Sequence, residues 1–318
     1  MTDGTNALPG KFALKALAAG KPAKAYERFA RELDSLKKLN HPSIVKVVDH
    51  AEPTSPFKFY VMELIDGAQP LKKTLLSDSN QFKNNPRLAV GLFIDLVEAI
   101  AHCWENKIVH RDLSLGNVLI LRSGGIKLID FGICQTEGEE TITLIDEGVG
   151  TQNYMAPECE SGAAGDVTWK SDLYSAGKIL WSAVTGQMAF SRESAAYNAK
   201  SMQKLLPDSP SAWHLHHLFE KSIRHDPEKR FKEPSEALAA ARQVLFLITA
   251  GYPPIELLNE TCPTCGWGKL GSFDGSHMVF GNPPPRGVRA VKCNYCGFCF
   301  AQDMPTLNEN ISRRTFLA

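Results

Sequence analysis

His110-Arg111-Asp112-Leu113-Ser114-Leu115-Gly116-Asn117-Val118-Leu119-Ile120 constrains this chain more than any other stretch. It crowds a basic pair, a carboxylate and an amide into eight residues, then runs into an apolar strand. A second apolar stretch, Ile126 to Ile129, delivers Asp130-Phe131-Gly132. Arg122-Ser123-Gly124-Gly125 lies between the two and has turn composition. A hairpin that pairs Leu121 with Ile126 also sets Asn117 opposite Asp130, and cross-strand partners share one face. An amide and a carboxylate then meet at the open end, with Asp112 in the loop just before. Oxygen ligands converging this way suit magnesium, which takes one or two carboxylates plus substrate phosphates.

The chain of 318 residues is long enough for one large domain and a small appendage. Lys plus Arg number 35, as do Asp plus Glu, so nothing in the overall charge argues for a nucleic-acid or membrane partner. The apolar run Val244 to Ala250 is too short to span a bilayer. Met1 to Asn6 lacks the basic and apolar blocks of a signal peptide, which leads to the expectation of a cytoplasmic protein. Of eight cysteines, Cys103, Cys134 and Cys159 are scattered and five are crowded between Cys262 and Cys299. Such crowding reads as a metal site in a reducing compartment more than as a disulfide framework.

Taken in order, Lys11 to Leu17 reads as a strand with Lys15 on the face opposite Leu14 and Ala16. A helix is predicted after Gly20-Lys21-Pro22, because Tyr26, Phe29, Leu33, Leu36 and Leu39 recur every three or four residues. At about 100° per residue, Glu32 lies about 60° from Phe29, bordering the buried face and able to aim at Lys15. Ile44 to Val48 and Phe59 to Leu64 read as two further strands, and Ile65-Asp66-Gly67 ends the second. Leu88, Leu92, Leu96 and Ile100 form an i, i+4 stripe on a long helix before the central motif. Leu173, Gly177, Leu180 and Val184 mark an apolar helix stopped by Gly186, Asp226-Pro227-Glu228 reads as a helix cap, and a last helix is predicted over Pro234 to Leu247. Between Asp130 and Glu158 periodicity is lost over a length that implies a functional or mobile loop.

From roughly Lys11 to Leu247 the chain resembles the eukaryotic-type protein kinases. The resemblance is carried, in the family's order, by Phe12-Ala13-Leu14-Lys15, the helix with Glu32, His110-Arg111-Asp112 through Asn117, Asp130-Phe131-Gly132, Met155-Ala156-Pro157-Glu158, Ser171-Asp172 and Arg230. It implies an α+β, bilobal kinase-like fold: an incomplete strand-rich N-lobe over 1–65 and a helical C-lobe over 66–250. It implies a serine/threonine kinase using ATP and magnesium on a protein substrate. In that scheme Lys15 contacts the inner phosphates and is held by Glu32, Asn117 and Asp130 hold magnesium, and Asp112 orients the substrate hydroxyl and accepts its proton. Met62 stands at the gatekeeper position, the backbone of Glu63 and Ile65 grips the adenine edge, and Ala13 and Leu119 sandwich the base. Glu158 and Arg230 form a buried pair, and Asp172 anchors the central helix to the catalytic loop. Arg111 implies control by phosphorylation, with Thr141 and Thr143 as candidates, while Thr151 fits the substrate-contacting threonine.

Two positions depart from the pattern. The family's glycine-rich loop should precede Lys15, but only Met1 to Gly10 stands there, and Gly4 and Gly10 do not make it. The two opening strands are therefore expected to be missing or incomplete, an N-terminal truncation. Ser114 replaces the usual lysine, and no basic residue stands between Asp112 and Asn117. These departures open a rival reading, a pseudokinase scaffold. Leu115-Gly116-Asn117 also echoes the aminoglycoside kinases, which opens a third, a small-molecule phosphotransferase.

The tail, 251–318, begins at the boundary signal Gly251-Tyr252-Pro253-Pro254. Cys262-Pro263-Thr264-Cys265-Gly266 and Cys293-Asn294-Tyr295-Cys296-Gly297 are matched knuckles, and four thiolates suit tetrahedral zinc. The spacer of 27 residues, 266–292, contains Gly281-Asn282-Pro283-Pro284-Pro285, a loop insertion. The segment resembles a zinc ribbon, a small β domain stabilised chiefly by its metal, for protein recruitment or regulation. Arg286, Arg289 and Lys292 are too few for a nucleic-acid face.

Overall fold

The structure, a computed structural model, describes residues 11–77, 80–131, 151–159, 167–190, 202–251, 288–292 and 299–303, the last two segments as backbone. Strand β1 (Phe12–Leu17) alternates as its sequence does: Leu14 and Ala16 face solvent while Lys15 and Leu17 turn inward. Helix α1 (Ala23–Lys38) starts directly after Pro22 and buries only Phe29, Glu32 and Leu36, a stripe spaced three and four residues apart. Strands β2 (Val47–His50) and β3 (Lys58–Glu63) complete an antiparallel sheet in the order β1-β3-β2, with Lys15 opposite Tyr60 and Ala13 opposite Met62.

The strand expected from Ile44 begins instead at Val47. Ile44 and Val45 are buried and serve the second lobe: the Val45 N–H donates to the Leu128 carbonyl at 3.0 Å, and the Leu128 N–H to the Ser43 carbonyl at 2.8 Å. Their apolar character reflects an interlobe contact, not a place in the sheet.

The second lobe opens with β4 (Gln69–Pro70) and the short helix α2 (Leu71–Leu75). Helix α3 (Pro86–Glu105) is capped by the Asn85 side chain, which accepts the Leu88 N–H at 3.2 Å, with Pro86 in the first turn. Leu88, expected on the buried stripe, is 42% exposed, while Pro86, Ala89 and Val90 are buried.

Strands β5 (Val118–Ile120) and β6 (Ile126–Leu128) form the predicted hairpin, with β4 on the outer side of β5. Its register is one residue away from that expected: Ile120 faces Ile126, and the Leu121 N–H bonds the Gly125 carbonyl at 2.8 Å. Gly124 adopts φ +94°, and its N–H closes on the Leu121 carbonyl at 3.0 Å. A three-residue loop ending in a left-handed glycine therefore replaces the four-residue one.

Helix α4 (Trp169–Thr185) is the axis of this lobe, with every residue except Lys170 buried. The Thr168 hydroxyl caps its start, and Gly186 at φ +68° ends it. A Cβ on Gly177 would lie 2.7 Å from the Ser222 Cβ, so this glycine permits close approach of α6 (His216–Ser222), which follows the short α5 (Met202–Leu205). Asp226-Pro227-Glu228 caps only a single 3-10 turn, Pro227–Lys229. Helix α7 (Pro234–Thr249) packs along α3. Farther on, β7 (Val288–Lys292) pairs antiparallel with β8 (Cys299–Asp303). No helix among the described residues is long and apolar enough to cross a membrane.

Candidate active site

β1 delivers Lys15 and α1 delivers Glu32 to the cleft side of the small sheet, where Lys15 Nζ lies 2.6 Å from Glu32 Oε1. The same ammonium reaches across the cleft to Asp130 Oδ1 at 2.5 Å. Burial alone would lower the Lys15 pKa, but the carboxylates of Asp130 and Glu32 outweigh it and hold the ammonium above its ordinary value. Asp130 stands at φ +52°, a left-handed conformation uncommon outside glycine. That conformation turns the chain out of β6 and allows Asp130 to reach Lys15.

On the other side of the hairpin, Asn117 Nδ2 donates to the Asp112 carbonyl at 2.8 Å and to Asp112 Oδ2 at 3.0 Å. Both bonds use the amide nitrogen, so the amide oxygen is turned away from Asp112. The shifted register places Asn117 opposite Ile129, whose N–H bonds the Asn117 carbonyl at 3.0 Å, and not opposite Asp130 as expected. Asp130 is the next residue along. Asp112 thus meets Asn117 directly, and Asp130 joins them through the backbone of the hairpin mouth.

The loop carrying Asp112 is fixed from below. Asp172 on α4 accepts the His110 N–H at 2.7 Å and the Arg111 N–H at 2.8 Å, and Arg111 is held at φ +67°. Burial pushes the Asp172 carboxyl up to about 7, against the pull of those two amides. The buried His110 ring lies 4.5 Å from the Phe131 ring, centroid to centroid, and burial brings its pKa down to about 4. Glu158 takes both arms of Arg230, at 2.6 and 2.9 Å, and the Ser171 hydroxyl at 2.7 Å. Burial alone would raise the Glu158 carboxyl, but Arg230 outweighs it and holds the group below its ordinary value.

At the crossing between lobes, the Glu63 N–H is taken by the Lys46 carbonyl at 3.0 Å, and the Ile65 carbonyl by the Ala68 N–H at 3.2 Å. The Glu63 side chain pairs with Lys127 at 2.5 Å and accepts the Lys46 N–H at 2.9 Å. Met62 packs against the core, and Ala13 and Leu119 are half-buried. The Tyr60 hydroxyl, which donates to Glu32 Oε1 at 2.8 Å, was not apparent as a site residue in the sequence. The available signal was strand alternation, which puts Tyr60 on the same face as Met62. Gly4, Gly10, Gly132, Thr141, Thr143 and the four knuckle cysteines lie outside the described residues. Among the described residues, no group of three or more His, Cys, Asp or Glu side chains is arranged to hold a metal ion.

A small sheet with its lysine–glutamate pair, set over a helical lobe that presents Asp112, Asn117 and Asp130 at one hairpin mouth, defines the bilobal kinase class. Residues 5–243 match the family described as the protein kinase domain, and the chain belongs to that family. It is similar to the serine/threonine-protein kinase PrkC of Bacillus subtilis, 34% identical over 227 residues, which are 69% of this chain and 34% of that protein. It is also similar to the serine/threonine-protein kinase PknB of Mycobacterium leprae, 31% identical over 239 residues, or 72% of this chain and 37% of that one. The chain therefore spans about a third of the length of these relatives.

Proposed function

We propose that this chain is a protein serine/threonine kinase that transfers the γ-phosphate of ATP to a protein hydroxyl. The observation that carries this reading is the Lys15 ammonium, held by Glu32, reaching across the cleft to Asp130, at the end of the hairpin whose Asn117 holds Asp112. Membership of the family and likeness to two proteins named as serine/threonine kinases support it.

The residues present suit magnesium. Asp130 is a half-exposed carboxylate with an adjacent cation to exchange, and Asn117 has its amide oxygen directed away from Asp112. Magnesium, when bound, neutralises charge on the transferring phosphate. Asp130 and Asn117 would hold it, and Lys15 would then turn its ammonium from Asp130 to the inner phosphates while Glu32 retains it. Asp112, fixed through the Asn117 amide, would orient the substrate hydroxyl and take its proton. The Glu63 carbonyl and Ile65 N–H would take the adenine edge beside Met62, with Ala13 and Leu119 on its faces. Little covalent work falls to the protein, so the rate rests on positioning and electrostatics.

Over 251–318 we propose a zinc ribbon, with Cys262, Cys265, Cys293 and Cys296 as ligands and a protein as its partner. Its support is the antiparallel pair β7–β8, whose connecting residues include the second knuckle. One zinc per purified chain by elemental analysis is the expected result.

Incubation of the purified chain with labelled ATP and magnesium tests the kinase reading. Transfer to the chain itself or to a generic protein substrate, lost in Asp112→Asn by about 100-fold or more, is the expected outcome. A thermal shift with nucleotide but no transfer would instead identify a scaffold, and transfer only to small hydroxylated metabolites a small-molecule phosphotransferase.

A further inference from the structure

Three side chains of α1 are buried, and Tyr60 touches two of them. Its ring lies 5.3 Å from the Phe29 ring, and its hydroxyl donates to Glu32 Oε1 at 2.8 Å. Tyr60 itself is 1% exposed. A phenol has one hydrogen to donate, and here it goes to the same carboxylate oxygen that Lys15 contacts. Lys15 Nζ also sits 6.0 Å from the centre of the Tyr60 ring. From β3, a single side chain therefore braces both the helix and the ion pair.

We infer that Tyr60 is a positioning residue for phosphoryl transfer, a phenol latch that holds α1 inward so that Glu32 keeps its grip on Lys15. The inference rests on the kinase reading given above. Glu32 and Asp130 now share the Lys15 ammonium. When Asp130 is drawn to metal, Lys15 retains only Glu32 from the protein, so the placement of that carboxylate sets the placement of the ammonium. Glu32 rides on a helix whose start has no side-chain cap and whose other buried anchors are one aromatic and one leucine. A hydrogen bond to a charged acceptor is the stronger kind, and this one is shielded from water. Burial and the Glu32 charge also push the Tyr60 phenol well above its ordinary range, so it stays a donor at every working pH.

Tyr60→Phe keeps the ring against Phe29 and removes only the hydroxyl. Two readouts on the whole chain test the latch: amide hydrogen exchange across α1, and kcat/KM for ATP in a cycle with Glu32→Gln. The expected results are exchange in α1 faster by about tenfold and kcat/KM lower by about tenfold in Tyr60→Phe, with little further loss when it is added to Glu32→Gln. Unchanged α1 exchange, or an equal loss of kcat/KM in both backgrounds, overturns the latch. Faster α1 exchange in a chain whose wild type neither binds nor turns over ATP overturns the kinase reading, and the role in transfer falls with it.

Discussion

Two clusters of carboxylate and cation in this molecule share bond lengths and differ in surroundings. Lys15 meets Glu32 at 2.6 Å and Asp130 at 2.5 Å, with the Lys15 side chain 34% and the Asp130 side chain 51% exposed. Arg230 meets Glu158 at 2.6 Å, with side chains 0% and 7% exposed. Distance is therefore no guide to their roles. In the first cluster water reaches the contact between Lys15 and Asp130, while Glu32 is only 12% exposed at its side chain, so Lys15 can exchange Asp130 for a phosphate at little cost. In the second, neither partner can leave without stranding the other in a dry interior. Arg230 adds bonds to the carbonyls of Lys170, Arg224 and His225 and stacks 4.9 Å from the Tyr174 ring, which makes the arrangement permanent. The exchangeable cluster lies in the cleft between lobes, and the locked one pins the segment 157–159 to α4.

The largest expected effect comes from breaking the locked pair. Arg230→Ala strips the buried Glu158 of its guanidinium partner and should cost about 3–5 kcal/mol of stability, read from urea unfolding at pH 7. The pH dependence should change with it. Because Arg230 holds the Glu158 pKa low, the wild-type pair stabilises fully above the ordinary carboxylate range and loses that contribution as pH falls through the depressed value. In Arg230→Ala burial is opposed by the Ser171 and backbone hydrogen bonds without the guanidinium, so the Glu158 pKa rises from its wild-type position and lowering the pH toward the carboxylate range should recover stability relative to wild type. A variant that unfolds with the wild-type midpoint and acid limb would show that the pair is dispensable.

Next in size is the exchangeable cluster, where stability and catalysis should part. Lys15→Met removes a partly exposed ion pair and should shift stability by less than about 1 kcal/mol. Phosphoryl transfer, in contrast, should fall by about 100-fold or more, since a preorganised charge is gone from the site. Unfolding and transfer rates on the same preparation check both halves. If Lys15→Met destabilised the chain as severely as Arg230→Ala, the distinction between the two clusters would not hold.

The two clusters were unequally legible in the sequence. Periodicity set Lys15 on the strand face opposite Leu14 and Ala16 and Glu32 at the border of the buried face near Phe29, able to aim at Lys15, and the resemblance to a family supplied their roles. Arg230 and Glu158 are 72 positions apart and carry no periodic signal, so only the resemblance to a family suggested them. The hairpin was readable as a hairpin, yet its register depended on whether Gly124 took a positive φ, which composition does not decide. The observed register sets Asn117 opposite Ile129 and not Asp130, and the left-handed Asp130 meets Lys15 across the cleft. Ile44 misled because an apolar residue reports burial somewhere, not the element against which it is buried, and Leu88 because helical spacing alone does not bury a side chain, which here is 42% exposed. Tyr60 looked like one more strand aromatic because its function lies in a single hydroxyl bond to a residue 28 positions away.

A third ion pair sharpens the contrast. Lys170 carries the backbone carbonyl that Arg230 uses, and its own ammonium meets Glu228 Oε1 at 2.7 Å. The bond is about as short as that between Arg230 and Glu158, and it lies nearby in the sequence: Glu228 stands two residues before Arg230, and Lys170 just before Ser171, whose hydroxyl Glu158 accepts. Glu228, however, is 83% exposed at its side chain. Ordering two long side chains in water consumes most of the Coulomb gain, so Glu228→Gln should change stability by less than about 0.5 kcal/mol. The residual effect should vanish in 1 M salt, where the screening length is about 3 Å. Equilibrium unfolding at low and high salt, beside Arg230→Ala on the same scale, makes the comparison direct. A loss near that of Arg230→Ala would mean that separation ranks these pairs after all; a near-zero loss leaves burial as the property that divides a lock from a contact that merely forms.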